Sequence, residues 1–303
     1  MMSDLQIFAG AYAFIDARLT MFVGQQAPEV VTLIAAPLRL ALVLYVVLYG
    51  FAILRGAIAE PVVDFAVRGM KLVFIYAIAT TTAYNDFVLT PLFSELPDRL
   101  AMAVSGGDAA TVGEAFDDMI NYAAHLGTRA MRAGSLLDPA PWVVAAVVFV
   151  VGALTSALGF GVVMVAKIAL ALLVALGPIF IACALFDASR RFFFGWLSQA
   201  VNYLILFALV LTLVQLVLDL VRSQWSSVQG MDPVGGGLVF TALCILAGFF
   251  FLQMPALAAG IAGGASVGLA DFGRAAGSLG HGVVRQSSLR SIQAPAAGPG
   301  GAR

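Results

Sequence analysis

Charge is what this sequence has least of. Only 11% of its 303 residues are Asp, Glu, Lys or Arg and 61% are hydrophobic, whereas soluble domains carry roughly 25% charged residues. With a mean hydropathy of +0.99, an ordinary soluble domain is excluded and an integral membrane protein is implied. Cysteine is nearly absent: Cys183 and Cys244 each sit inside an apolar run, where they read as small hydrophobes and say nothing about a redox compartment. Histidine is limited to His125 and His281, and His125 has no second ligand at a spacing usable by a metal. No G-x-x-x-x-G-K-S/T, H-E-x-x-H, C-x-x-C or G-x-S-x-G occurs, so no enzyme constellation is present and no cofactor or metal is implied. The well-defined apolar spans contain no acid. Arg39 and Lys167 are the remaining ionisable candidates, and both can snorkel, which disfavours a stand-alone ion-coupled pump. Paired halves with broken helices, the mark of inverted-repeat transporters, are also missing.

What the sequence does contain is a series of long charge-free intervals. Asp138 is followed by no charge until Lys167, and then none until Asp187; further gaps run from Arg191 to Asp219 and from Asp232 to Asp271. A spanning helix needs about 20 apolar residues, and runs such as VLTLVQLVL lack the alternation of barrel strands. The fold class is therefore an all-α integral membrane protein. A first span begins near Leu33, with Arg39 snorkelling past Pro37, and ends at Arg55; residues 69–91 form a weaker second; 192–218 and 238–261 are clear spans. The N-terminal segment has no basic region and its first long apolar run begins near Val30, so no cleaved signal peptide is expected.

Residues 142–186 are harder to place, since their only charge is Lys167. As one helix these 45 residues would be about 67 Å long. They are either two crossings with a turn near Lys167, or one crossing plus a segment buried elsewhere. Basic residues bias the choice. Segments 55–71, 187–191 and 262–303 hold nine Lys and Arg in 64 residues, against five in 96 for 1–29, 94–141 and 219–237. Placing the first group in the cytoplasm gives five spans with the N-terminus periplasmic and the C-terminus cytoplasmic. The third span is then roughly 168–188, and 142–166 is buried against other chains. Six spans is the alternative, and it strands Arg190 and Arg191 outside.

The expected organisation has five parts. Residues 1–29 form a periplasmic amphipathic helix, in which Leu5, Phe8, Tyr12, Ile15, Leu19 and Phe22 share one face. Residues 30–93 carry the first two spans. Residues 94–141 form a periplasmic acidic helical loop with seven acids against three basic residues. There Thr111 and Glu114 fit a capping box and Phe116, Met119, Ala123, Leu126 and Ala130 make a helical stripe. Its acids Glu114, Asp117 and Asp118 suit the positive end of that helix. Residues 142–261 hold the long apolar helix and spans three to five, and 262–303 a disordered cytoplasmic tail rich in Gly, Ala, Pro and Ser. Two features point to helix packing: Gly260, Gly264 and Gly268 recur at every fourth residue, and Ser198, Asn202 and Thr212 share a polar stripe flanked by Gln199 and Gln215.

Residues 177–207, GPIFIACALFDASRRFFFGWLSQAVNYLILF, carry a family likeness. Gly177-Pro178 ends one apolar run, Phe186 to Arg191 make a turn, Gly195-Trp196 follows, and Gln199, Asn202 and Tyr203 open the next helix. This region resembles the TrbL/VirB-type polytopic inner-membrane subunits of type IV secretion systems. The resemblance implies a non-enzymatic channel platform in the bacterial inner membrane, acting in translocation, conjugation and pilus biogenesis. It implies a homo-oligomer surrounded by membrane lipid, together with other inner-membrane and periplasmic secretion subunits, pilus subunits and secretion ATPases, and with protein or DNA as cargo. It also links the external loop, here 94–141, to substrate contact and the tryptophan region, here Trp196, to transfer. The functional candidates are Arg190, Arg191, Trp196, Gln199 and Asn202, with Gly260, Gly264 and Gly268 for helix packing. The arginines read as a cytoplasmic stop, and the phenylalanines with Trp196 as an interfacial belt. A solute transporter or small-molecule channel is the alternative. The five-span reading predicts that a reporter fused after Lys167 reads outside; a cytoplasmic signal there would overturn it.

Overall fold

In the computed structural model, residues 6–56, 62–104 and 112–278 are described, with 62–65, 68 and 264–278 as backbone only. Helices α1 (Ile7–Leu54), α2 (Val62–Thr80), α3 (Leu96–Val104), α4 (Val112–Ala133), α5 (Ala140–Ala175), α6 (Gly177–Cys183), α7 (Arg190–Gly230) and α8 (Pro233–Ser278) follow one another, with a wide-turn π-helical segment, Asn85–Glu95, leading into α3. Among the described residues there is no strand. Four helices are long and apolar enough to cross a bilayer: α1, α5, α7 and the stretch Pro233–Gly263 of α8. A fifth candidate is the pair Gly69–Thr80 and Asn85–Val104, bent by 57°. The protein is therefore an all-α polytopic membrane protein.

Several boundaries differ from those expected of the sequence. The amphipathic N-terminal helix and the first span are one unbroken helix, α1, 48 residues long, or about 72 Å. Pro28 and Pro37 lie inside it without ending it. Each removes one N–H, but the surrounding Gln, Glu, Ala and Leu are helix formers. Glycine stops it: Gly56 has φ +70° and donates its N–H to the Ile53 carbonyl, a left-handed C-terminal cap. The second span is broken at Thr81–Tyr84. At the other end, α8 continues past residue 262 to Ser278; residues 279–303 of the expected tail lie outside the described residues.

The long apolar run has no turn at Lys167. α5 passes straight through it to Ala175, so the region supplies one long helix, and the six-crossing alternative, which needs that turn, has no support. The expected span 168–188 is interrupted instead at Gly177-Pro178, where α6 begins. Lys167 does not snorkel either. It is 5% exposed, pairs with Asp16 at 2.5 Å, donates to the Tyr12 hydroxyl at 2.7 Å and lies over that ring. Tyr12 and Asp16 are one turn apart on α1, so α1 itself satisfies the buried cation.

Two apolar cores result. One joins α4, α5 from Val148 to Ala166, α7 from Leu206 onward and α8, with Phe8, Tyr12 and Ile15 of α1 against it. The other joins the middle of α1, α2, the π-helical segment, the end of α5, α6 and the start of α7. The Thr155 hydroxyl ties α5 to α8 by donating to the Cys244 carbonyl at 3.1 Å. The expected stripe of α4 is inside the first core, with Phe116, Ala123 and Ala130 fully buried. Thr111 of the expected capping box lies outside the described residues.

α4 acts as a clamp because its charges close other helices. Asp117 is 3% exposed, and its two carboxylate oxygens accept the N–H groups of Phe8 and Ala9, both at 2.8 Å. These are orphan donors in the first turn of α1, whose own N-cap Gln6 makes no side-chain bond. The acid expected to serve α4's own positive end thus serves α1's. A Cβ on Gly113, one turn before, would collide with the backbone of Phe8 and Ala9, so the two helices meet backbone to backbone. Arg129 donates to the Met231 carbonyl at 2.8 Å, at the C-terminus of α7, where a cation is favoured. The Trp142 indole donates to the Met131 carbonyl at 3.2 Å, near the end of α4.

Asp117→Ala should lower stability by about 1–3 kcal/mol, the cost of leaving buried donors unsatisfied. Asp118→Ala removes only a half-exposed pair with Arg222 at 3.2 Å and should cost less than about 1 kcal/mol. Thermal melts in detergent distinguish the two; equal losses would show that Asp117 does not cap α1.

Candidate functional site

The signature region of the sequence folds around a helix break. Pro178 has no N–H to give to the Val174 carbonyl four residues back, and a helix end leaves its last carbonyls without partners. Two distant aromatic residues fill the gap. The Trp196 indole of α7 donates to the Leu173 carbonyl at 2.8 Å, and the Tyr84 hydroxyl donates to the Val174 carbonyl. Gly177 is required by this convergence, since a Cβ there would meet the Tyr84 hydroxyl and, at 3.2 Å, the Trp196 ring.

Trp196 is accordingly 5% exposed, which corrects its expected place in an interfacial belt. Its ring stacks at 6.3 Å on Phe180 and lies 6.0 Å from Phe193. Of the three consecutive phenylalanines, Phe192 is the exposed one, at 50%, and its ring carries the Arg191 guanidinium at 5.0 Å. Arg190 pairs with Asp187 at 2.8 Å, and the Ser189 hydroxyl donates to the Cys183 carbonyl at 2.8 Å, closing the turn. Two arginines in the first turn of α7 stand at its positive end, where a cation is disfavoured, so helix stability does not explain them.

The remaining candidates separate. Gln199 is exposed on α7, whereas Asn202 is half-buried and its Oδ1 has no hydrogen-bond partner. Thr212 turns its hydroxyl back to the Ala208 carbonyl, so the polar stripe is not one connected network. Gly260 has open space where a Cβ would stand; Gly264 and Gly268 lie on the α8 backbone, and their surroundings fall outside the described residues. Among the described residues no three His, Cys, Asp or Glu side chains come together as a metal site, and His125 stands edge-on to Trp225 at 6.4 Å.

Tyr84 was not legible as a site residue, although the orphan carbonyl that Pro178 creates signals a missing donor. The Tyr12, Asp16 and Lys167 group was missed because Asp16 and Lys167 are 151 positions apart and no spacing rule links them.

A helical, multi-pass membrane protein built around a proline-broken helix and an arginine-bearing turn is thus defined by fold and site. Residues 42–254 match the family described as TrbL/VirB6 plasmid conjugal transfer protein. The chain belongs to the TrbL/VirB6 family. It is 26% identical over 252 residues to the type IV secretion system protein VirB6 of Bartonella quintana (strain Toulouse), covering 77% of this chain and 76% of that protein. The same identity and coverage hold for VirB6 of Bartonella henselae (strain ATCC 49882 / DSM 28221 / CCUG 30454 / Houston 1). It is an inner-membrane component of a type IV secretion system.

Trp196→Phe keeps an aromatic ring but shrinks it and removes the donor to Leu173, and should cost at least about 1–3 kcal/mol. Gly177→Ala should cost a similar amount by overpacking, about 1–3 kcal/mol, while Arg191→Gln should stay within about 0.5 kcal/mol. Thermal unfolding followed by size-exclusion chromatography ranks them, and a neutral Trp196→Phe would remove the indole from the helix break.

Proposed function

We propose that this chain is a non-enzymatic platform of the secretion channel, oligomeric in the membrane, with its N-terminus periplasmic and its C-terminus cytoplasmic. In this arrangement it supports substrate translocation and pilus biogenesis. Its partners are the other inner-membrane and periplasmic secretion subunits, the pilus subunits and the secretion ATPases, and its cargo is protein or DNA. The cluster of Arg190 and Arg191 faces the cytoplasm, as the positive bias of its turn favours.

One observation carries the oligomer. α5 presents an unbroken apolar stripe to the outside, with Val143 at 63%, Val150 at 65%, Leu154 at 57%, Val165 at 58% and Leu172 at 48% exposed. From Val143 to Leu172 it rises about 44 Å, against a hydrocarbon core of about 30 Å. Even tilted by about 40°, the stripe would span about 34 Å. One end therefore favours a protein neighbour over lipid. The other face of the same stretch is covered by α1, α4, α7 and α8 within the chain, so the segment expected to lie between protomers leaves one face for that role. Leu136 and Leu137, 91% and 98% exposed, continue the apolar surface beyond the start of α5.

Single cysteines at Val147 and Val150, in a chain with Cys183 and Cys244 replaced, should cross-link copies of the protein in native membranes. Val150→Arg should abolish substrate transfer while the protein remains inserted. Monomers only, together with wild-type transfer by Val150→Arg, would overturn the proposal.

A further inference from the structure

Arg39 is exposed on α1, two residues after Pro37, with Leu33 and Leu40 beside it 72% and 71% exposed. Among the described residues its guanidinium makes no ion pair or hydrogen bond. It thus contrasts with Lys167, which the fold pairs internally. Beside Arg39 a groove of about 490 Å³ opens between α1 and α2, lined by Ala35, Ala36, Arg39, Leu40, Val43 and Tyr76.

The position of this cation along α1 indicates its solvent. From Arg39 to Arg55 the helix rises about 24 Å, somewhat less than the roughly 30 Å hydrocarbon core, and the residues between them include the exposed Val43, Leu44, Val46, Val47 and Leu48. Two arginines bracketing such a stretch bring their heads to opposite headgroup layers by snorkelling. An Arg39 guanidinium at that level, with no acidic partner, meets phosphate. Its planar fork matches a phosphate diester by paired hydrogen bonds. Ala35 and Ala36 keep the groove open, and Leu40 and Val43 form an apolar wall of the kind an acyl chain requires.

We propose that this groove is a binding site for an anionic phospholipid, with the lipid phosphate on Arg39 and an acyl chain along Leu40 and Val43 against Tyr76. An anionic headgroup is favoured over a zwitterionic one because Arg39 brings a cation without an ion-pair partner among the described residues, and the nearest acid before it on α1 is Glu29, about 15 Å away along the axis. The site depends on neither the oligomer nor the secretion role.

The test is native mass spectrometry of the full chain after equilibration with mixed vesicles of phosphatidylglycerol and phosphatidylcholine in equal amounts. The wild type should retain phosphatidylglycerol selectively. Arg39→Gln should lower that retention about tenfold or more, as loss of a charge-assisted hydrogen bond predicts, and Arg39→Lys should keep part of it. Val43→Trp fills the groove without touching the charge and should also expel the lipid, whereas Arg99→Gln on α3 should change nothing. A lipid-free melt in detergent confirms that each variant folds. Equal retention of both lipids, or undiminished phosphatidylglycerol on Arg39→Gln, would overturn the site. So would a change in oligomer mass with unchanged lipid, since the groove would then hold a protein neighbour.

Discussion

A backbone carbonyl that loses its donor inside an apolar protein has no water to turn to, and much of this fold follows from that constraint. Pro178 strips the Val174 carbonyl of its helical partner, and the hydroxyl of Tyr84 and the indole of Trp196 arrive from two other segments to close the end of α5. Because both donors converge on one turn, only glycine fits at position 177. The same break redirects the chain into α6 and the turn that carries Arg190 and Arg191. The signature residues are therefore one device, in which the proline creates a need, the aromatics meet it and the glycine makes room.

The opposite end of the molecule solves the mirror-image problem with charge. α1 begins against protein, so its first N–H groups need an acceptor, and Asp117 on α4 provides one. α7 ends beside the same helix, and Arg129 on α4 answers its last carbonyls. An amphipathic helix thus holds the beginning of one long helix and the end of another, which sets the N-terminal half of α1 alongside α5. Only in that register can Asp16 and Tyr12 reach Lys167. Removing one partner of a buried pair is costlier than never having had it, so the register is locked once made.

Class, helix content and most apolar elements were legible in the sequence because charge-free length is a local property. The capping partners were not, because they are set by tertiary distance: Asp117 lies 109 residues from Phe8, and Tyr84 lies 90 from Val174. Lys167 illustrates the limit. From the sequence alone a lone lysine in a 45-residue apolar run reads as a place to turn or to snorkel; a continuous helix through it becomes favourable only once Asp16 is beside it. Trp196 is the complementary case. Its neighbours Arg190, Arg191 and Phe192 have the composition of a membrane interface, yet the indole points inward because an orphan carbonyl lies within reach there.

What the clamp secures also determines what it leaves uncovered. α1, α4, α7 and α8 cover one face of α5 and hold it as one continuous helix, so its other face cannot fold back to hide its valines and leucines. The C-terminal half of α1 is still less covered: only 6% of its most apolar stretch is buried within the chain, with α2 and α6 beside it. Burial in a bilayer satisfies such a helix at no cost to the backbone, since an α-helix pairs its own polar groups. Covering the α5 stripe differs in kind, because its length exceeds the hydrocarbon core. The rigid core therefore divides its exposed apolar surface in two. The α1 side is suited to lipid, and the α5 side is suited in part to protein.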